Sequence, residues 1–204
     1  MSRTLFFLLV CIAPLVAQEG FRPLFNGKNL DEFIIDTAGL WRVESGGVII
    51  GVSPGLNYND FLRTRKHYAN FILKARFRMT DSSGRGNSGI QFRSKPVEGS
   101  HEVSGYQADM GQQYWGCLYD ESRRKRVLAQ ASPESLATLQ KDGWNEYIIT
   151  ARGNQITLTL NGVTAVDYKE TEPGIETTGF IALQLHGGPP LEMRFKDLLI
   201  KELP

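Results

Sequence analysis

A chain of 204 residues has the length of one domain, or two small ones at most, and can bury a core that needs neither disulfide nor metal. Its 23 basic and 22 acidic residues leave a formal net charge of +1, which gives no electrostatic ground for nucleic acid or an acidic membrane as partner. Abundant glycine and 10% aromatic residues suit short strands joined by tight turns.

Positions 1–17 read as a secretory signal peptide. Arg3 supplies the positive start, Leu5 to Val16 is apolar apart from Pro14, and the small Ala17 precedes Gln18-Glu19-Gly20. About a dozen apolar residues fall short of a bilayer span, so no stable membrane anchor is expected and the protein should be secreted or periplasmic. Val10 before Cys11 argues against a lipoprotein, where a small residue would stand. One domain is expected over 18–204, without linker or repeat. Cleavage removes Cys11 and leaves Cys117 alone, so the domain must rest on packing rather than an internal disulfide. Cys117 itself reads as a small strand residue, not a catalytic thiol.

From Phe21 onward most segments alternate with period two, the mark of half-buried strands. Phe71, Leu73, Ala75, Phe77 and Met79 alternate with Ile72, Lys74, Arg76 and Arg78. Ile90 and Phe92 alternate with Gln91 and Arg93, and Tyr106 and Ala108 with Gln107 and Asp109. Ser132-Pro133 caps the only expected helix, a short connector stopping at Gly143. Tyr147–Ala151 and Gln155–Leu160 flank Arg152-Gly153-Asn154 as a hairpin, and Asn161-Gly162 makes the next turn. Ile181, Leu183 and Leu185 alternate with Gln184 and His186, and Leu191–Leu203 closes the chain. Many antiparallel strands and one short helix predict an all-β sandwich of two packed sheets.

The residues opposite the apolar set are unusual for a solvent face. Arg76, Arg78, Gln91, Arg93, Gln107, Asp109, Gln184 and His186 would point outward, with Tyr106, Tyr114, Trp115 and Tyr119 nearby. Amides and guanidinium forks match sugar hydroxyls, and aromatic rings supply flat apolar surface. A merely solvated sheet face is the alternative. Arg123-Arg124-Lys125-Arg126 reads as a solvated loop. His67, His101 and His186 lack metal-ligand spacing, so neither metal nor cofactor is expected. The glycine-rich Gly84–Gly89 stretch reads as a flexible turn rather than a phosphate loop. There is no Gly-x-Ser-x-Gly elbow of a serine hydrolase.

Ordered motifs across the chain resemble one family. They are Leu24-Phe25-Asn26-Gly27-Lys28, Trp41-Arg42-Val43 with Gly46-Gly47, Asn87-Ser88-Gly89-Ile90-Gln91-Phe92-Arg93, Gly105-Tyr106-Gln107-Ala108-Asp109, Trp115-Gly116-Cys117-Leu118-Tyr119 and Trp144-Asn145-Glu146-Tyr147. Asn161-Gly162 and Ile181–His186 complete the match. The chain is similar to the 3-keto-disaccharide hydrolase domain family. That resemblance implies a concanavalin A-like jelly roll and cleavage of glycosides already oxidised to a ketone at carbon 3. The family's commoner Glu-x-Gln stands reversed here, as Gln107-Ala108-Asp109.

A 3-keto sugar is acidified at carbon 2, so a base can form an enolate that expels the group at carbon 1, after which water adds. Asp109 or His186 is the candidate base, Arg93 the enolate stabiliser, and Tyr119 or Tyr106 the proton donor. Arg76, Gln91, Tyr106, Gln107, Trp115 and Gln184 are candidates for binding the sugar. A second carboxylate of an ordinary glycosidase could come from Glu102, Asp120 or Glu121 only if loops fold inward. The alternative is a non-catalytic carbohydrate-binding module. Convergence of Arg93, Asp109, Gln184 and His186 in one concavity would separate the two.

Overall fold

The computed structural model describes residues 20–204, so the signal-peptide segment and Cys11 lie outside the described residues. The chain runs through β1 (Arg22–Pro23), β2 (Phe33–Ile34), β3 (Trp41–Glu44), β4 (Val48–Ser53) and β5 (Asp60–Tyr68). Next come β6 (Phe71–Thr80), β7 (Asn87–Pro96), β8 (Val103–Gly111), β9 (Leu118–Glu121) and β10 (Arg126–Ala129). After the helical turn α1 (Pro133–Leu136) follow β11 (Asn145–Arg152), β12 (Gln155–Leu160), β13 (Val163–Lys169), β14 (Gly179–Leu185) and β15 (Leu191–Glu202).

Two antiparallel sheets result, as the alternation predicts. The first has the order β13-β12-β11-β6-β15-β4-β3, with β1 also on β15, and the second β10-β9-β8-β7-β14-β5-β2. The chain crosses between sheets at β1–β2, β2–β3, β4–β5, β5–β6, β6–β7, β10–β11, β13–β14 and β14–β15, which makes the sandwich a jelly roll. On β6 every second residue from Phe71 to Met79 is buried, while Ile72, Lys74, Arg76 and Arg78 are only half-buried. Phe71 meets Phe92 of the opposite sheet edge-to-face at 6.2 Å, and Phe77 stacks on Tyr147 at 4.9 Å. Each such fully buried apolar side chain contributes about 1.5–3 kcal/mol.

The turns follow their residue chemistry. Asn161 and Gly162 both hold positive φ, at 48° and 84°, the type I′ geometry that matches the strand twist between β12 and β13. The helix is shorter than its Gly143 stop implies. Ser132 caps it through Ser135 N at 3.2 Å, but Asn145 then binds both Gln140 N and Gln140 O, holding that segment as a turn.

Two departures from simple alternation matter for the site. Strands β7, β8 and β14 are buried on both faces over most of their length. The chain after β7 folds back over the second sheet, where Val97 N donates to Glu102 O, and Val103 packs with Phe61, Phe180 and Ala182 as a small outer cluster. Arg123 and Arg124 are not in a solvated loop. Both reach the fully buried Asp120, Arg124 also pairs with Glu170 at 2.7 Å, and Arg123 with Glu176 at 3.0 Å. A buried carboxylate is tolerated only with such partners, which a run of four basic residues does not disclose.

Candidate functional site

Register places the polar residues. Gly89 lies opposite Asp109, Gln91 opposite Gln107, and Gln107 opposite Tyr119, so all face the outer side of the second sheet. Ala182 opposite Gln91 brings Gln184 and His186 to that side by parity. There Asn87, Gln107, Asp109, Tyr114, Tyr119, Glu121 and His186 line a cleft of about 140 Å³.

Asp109 forms its floor and is only 4% exposed. Its Oδ1 accepts from Asn87 Nδ2 at 2.9 Å and its Oδ2 from Gln107 Nε2 at 2.8 Å. The second amide is aimed by a relay. Ser94 Oγ donates to Gln91 Oε1 at 3.1 Å, and Gln91 Nε2 donates to Gln107 Oε1, leaving the Gln107 NH₂ for Asp109. Gly89 makes room for this, because a Cβ there would overlap Gln107 Cγ and Cδ. Among the described residues no cation pairs with Asp109. Burial therefore pushes its carboxyl up to about 8, against the pull of the Gln107 and Asn87 hydrogen bonds and with help from the charge of Glu121.

Glu121 is raised to about 7 by burial and then by Glu102, which is held by Asn59 Nδ2 at 3.1 Å to each oxygen. Tyr119 is raised by burial and the Glu121 charge, so its phenol keeps its proton at neutral pH, and Tyr114 packs edge-to-face on it at 6.0 Å. His186 Nδ1 meets the Gly187 carbonyl, which can only accept, so in the neutral ring Nε2 carries the free lone pair. Two carboxyls, a phenol and an imidazole around one small hollow can remove and deliver protons.

Of the residues expected from sequence, Asp109, Gln107, Tyr119 and His186 share this cleft, and Gln91 stands behind it in the relay. Gln184 is on the same face but off the lining, fully buried, with neither amide atom hydrogen-bonded. Arg93 is not brought in. The register slips between Phe92 and Lys95, Arg93 takes φ 49°, and its guanidinium binds Ala69 O at 2.8 Å, Gly153 O at 2.7 Å and Asn70 Oδ1 at 3.2 Å. A bulge of this kind breaks the parity on which its outward placement depended. Tyr106 points into the core, stacked on Phe92 at 5.6 Å and donating to Glu170 Oε2 at 2.7 Å. Arg76 is on the first sheet, beside Trp144 and Asp197. Trp115 stacks on Phe77 and borders a neighbouring hollow instead.

Asn87 was not among the expected lining residues, Tyr114 was expected only as an aromatic near the polar face, and Glu121 only if loops folded inward. The signals existed: Asn87 opens the Asn-Ser-Gly stretch, and Glu121 is two residues beyond Tyr119 and so shares its face. A larger hollow of about 510 Å³ lies at the β2 edge, around Lys28, Asp31, Ile35 and Arg65, four strands from Asp109.

The described residues form a jelly roll with two carboxyls, a phenol and an imidazole around one small cleft on an outer face. The chain belongs to the 3-keto-alpha-glucoside-1,2-lyase-like domain family, whose model matches residues 20–201. Its fold is similar to that of a presumed glycosyl hydrolase from Parabacteroides distasonis, at TM-score 0.67 and 22% identity, covering 91% of this chain and 95% of that one. It is also similar to a carbohydrate-binding module from Bacillus subtilis, at TM-score 0.63 and 14% identity over 84% and 96% of the two chains. A Bacillus subtilis protein of unknown function with a galectin-like fold matches at TM-score 0.64 and 9% identity, over 85% and 90%. No curated protein matches the sequence.

Proposed function

We propose that the protein cleaves 3-keto-glycosides by elimination across carbons 1 and 2. The observation that carries this is Asp109: a carboxyl buried at the floor of a cleft, without a cation, and pushed up to about 8. Such a group is a poor structural element and a good base. Once ionised, Asp109 takes the proton from carbon 2, and its electron pair passes into the enolate of the carbon-3 ketone. Asn87 Nδ2 uses one N–H on Asp109, and its second is free for the enolate oxygen, the role Arg93 is placed too far away to fill. The bond from carbon 1 to its oxygen then breaks, carbons 1 and 2 become doubly bonded, and Tyr119 gives its proton to the departing oxygen. Water adding back across the double bond yields the free 3-keto sugar. His186 Nε2 is the rival base.

A binding module would need a flat aromatic platform; the enclosed carboxyl favours chemistry. By the leader-like residues 1–17 we place the reaction outside the cytoplasm. The test is turnover of methyl 3-keto-α-glucoside by the mature protein. Asp109→Asn should fold and lose about 10²–10⁴-fold in rate, and carbon-2 deuteration should slow the wild type where proton removal limits the rate. His186→Ala distinguishes the two bases. If both variants turn over a confirmed substrate normally, the assignment is wrong.

A further inference from the structure

We propose that the hollow beside Trp115 is the subsite for the departing sugar, the ring joined through carbon 1 to the 3-keto ring in the Asp109 cleft; this rests on the elimination reading above. A disaccharide needs a second space next to the bond that breaks, and the Asp109 cleft, at about 140 Å³, is small. The neighbouring hollow is about 280 Å³ and is lined by Trp115, Gln112, Asp81, Lys141 and Asp142 with Gly84 and Gly86.

The two hollows are lined by residues adjacent along the chain. Gly86 immediately precedes Asn87 of the Asp109 cleft, and Gln112 follows Gly111, which pairs with Asn87. At that crossing both Gly86 and Gly111 lack side chains, and a Cβ on Gly111 would overlap Gly86 O. The stretch between the hollows is therefore the backbone of Gly86–Asn87 against Gly111–Gln112, with the Asp81 side chain packed over Gly86 and the Gln112 amide on Arg85 O.

The lining suits a neutral sugar. Trp115 is half-buried with its ring stacked on Phe77, centroids 6.4 Å apart and planes at 20°, so the core backs one side of an indole that borders the hollow. A rigid aromatic surface of this kind packs against the C–H face of a pyranose. Lys141 and Asp142 make no ion pair with any described residue, so one donor and one acceptor stand side by side for hydroxyls, which both donate and accept. Gln112 is held at φ 48°, a left-handed conformation that non-glycine residues adopt at a cost and that clusters at binding sites. Its Nε2 is fixed on Arg85 O at 2.6 Å, which leaves Oε1 as an acceptor. Asp81 is already engaged: it accepts from Ser83 N at 2.8 Å and from Gly86 N at 2.5 Å, and so shapes the wall.

The experiment compares kcat/KM for 3-keto-trehalose, whose departing group is glucose, with that for methyl 3-keto-α-glucoside, whose departing group leaves the hollow empty. Trp115→Ala should cut the preference for the disaccharide about tenfold. Because Trp115 also packs on Phe77, Lys141→Ala is the control: it is exposed, should keep the melting temperature, and should lower the same ratio about threefold. If both variants change the two substrates by equal factors, the subsite is overturned while the elimination reading stands. If the wild type turns over neither substrate, the elimination reading fails, and calorimetry with unoxidised trehalose decides the subsite. Binding that Trp115→Ala and Lys141→Ala weaken would retain a sugar site there, and no binding, or binding they leave unchanged, would remove it.

Discussion

Asp109 is the residue where stability and chemistry oppose each other. Its carboxyl, raised by burial from the ordinary aspartate range to about 8, binds its proton more tightly folded than unfolded. Below about pH 4 both states are protonated and the folded state loses nothing through this group. Between about 4 and 8 the unfolded chain ionises first, so stability falls as pH rises, by at most ~1.4 kcal/mol per unit. Asp109→Asn cannot ionise. Its stability relative to the wild type should therefore climb from pH 5 to pH 8 in urea titrations, even as turnover is lost. A constant difference across that range would mean that Asp109 is not displaced. Under the proposed elimination the sign is opposite for activity, because Asp109 acts as base only when ionised: kcat/KM should rise with pH towards an inflection near 8. Glu121 helps to hold that value up by its charge, so Glu121→Gln should move the inflection to lower pH. An unmoved inflection would assign it to another group.

Strand β7 carries the contrast between neighbouring positions. Gln91 belongs to the relay that aims Gln107 at Asp109, and Arg93, two residues on, belongs to the closure of the sandwich end. The guanidinium holds the β5–β6 turn at Ala69 and Asn70 and the β11–β12 turn at Gly153, and among the described residues no carboxylate pairs with it. Arg93→Ala should therefore destabilise by roughly 1–3 kcal/mol, by removing the hydrogen bonds that tie the two turns to β7, and should leave the pH dependence of turnover in place. Arg93→Gly loses the same bonds but relieves the left-handed φ, so it should be the more stable of the two by about 1 kcal/mol. Equal melting temperatures for the pair would contradict the bulge geometry. Gly89→Ala should act at the other end of the strand, driving Gln107 off Asp109 and lowering turnover more than it lowers stability.

For the molecule as described, two packed sheets with one α-helical turn and one 3-10 turn over residues 20–204 predict a β-dominated circular dichroism spectrum of the mature domain, with helix well below the third or so of residues in an average globular protein. Cys117 is the one cysteine after the leader-like segment, and burial pushes its thiol up to about 12, which keeps it protonated and unreactive. The melting temperature should be the same with and without dithiothreitol. A drop on reduction would reveal a bridge between chains.

The period-two pattern, the Asn161-Gly162 turn and the Ser132-Pro133 cap are local properties, and residues near in sequence carry them. Strand identity, the inward faces of β6, β11 and β14 and the two-sheet class were legible for that reason. So was the shared face of Gln107 and Asp109, because parity holds within an unbroken strand. Sequence also contained the family motifs that mark this chain. Only the tertiary structure decided where parity fails and what covers each face. The bulge at Arg93 depends on contacts with turns 24 and 60 residues away. The burial of Asp109 depends on the relay and cleft that strands β7, β8, β9 and β14 bring together, and its raised pKa follows from that burial. Charge and desolvation act through space, and so the environment of Asp109, unlike the strands that build it, has no signature along the chain.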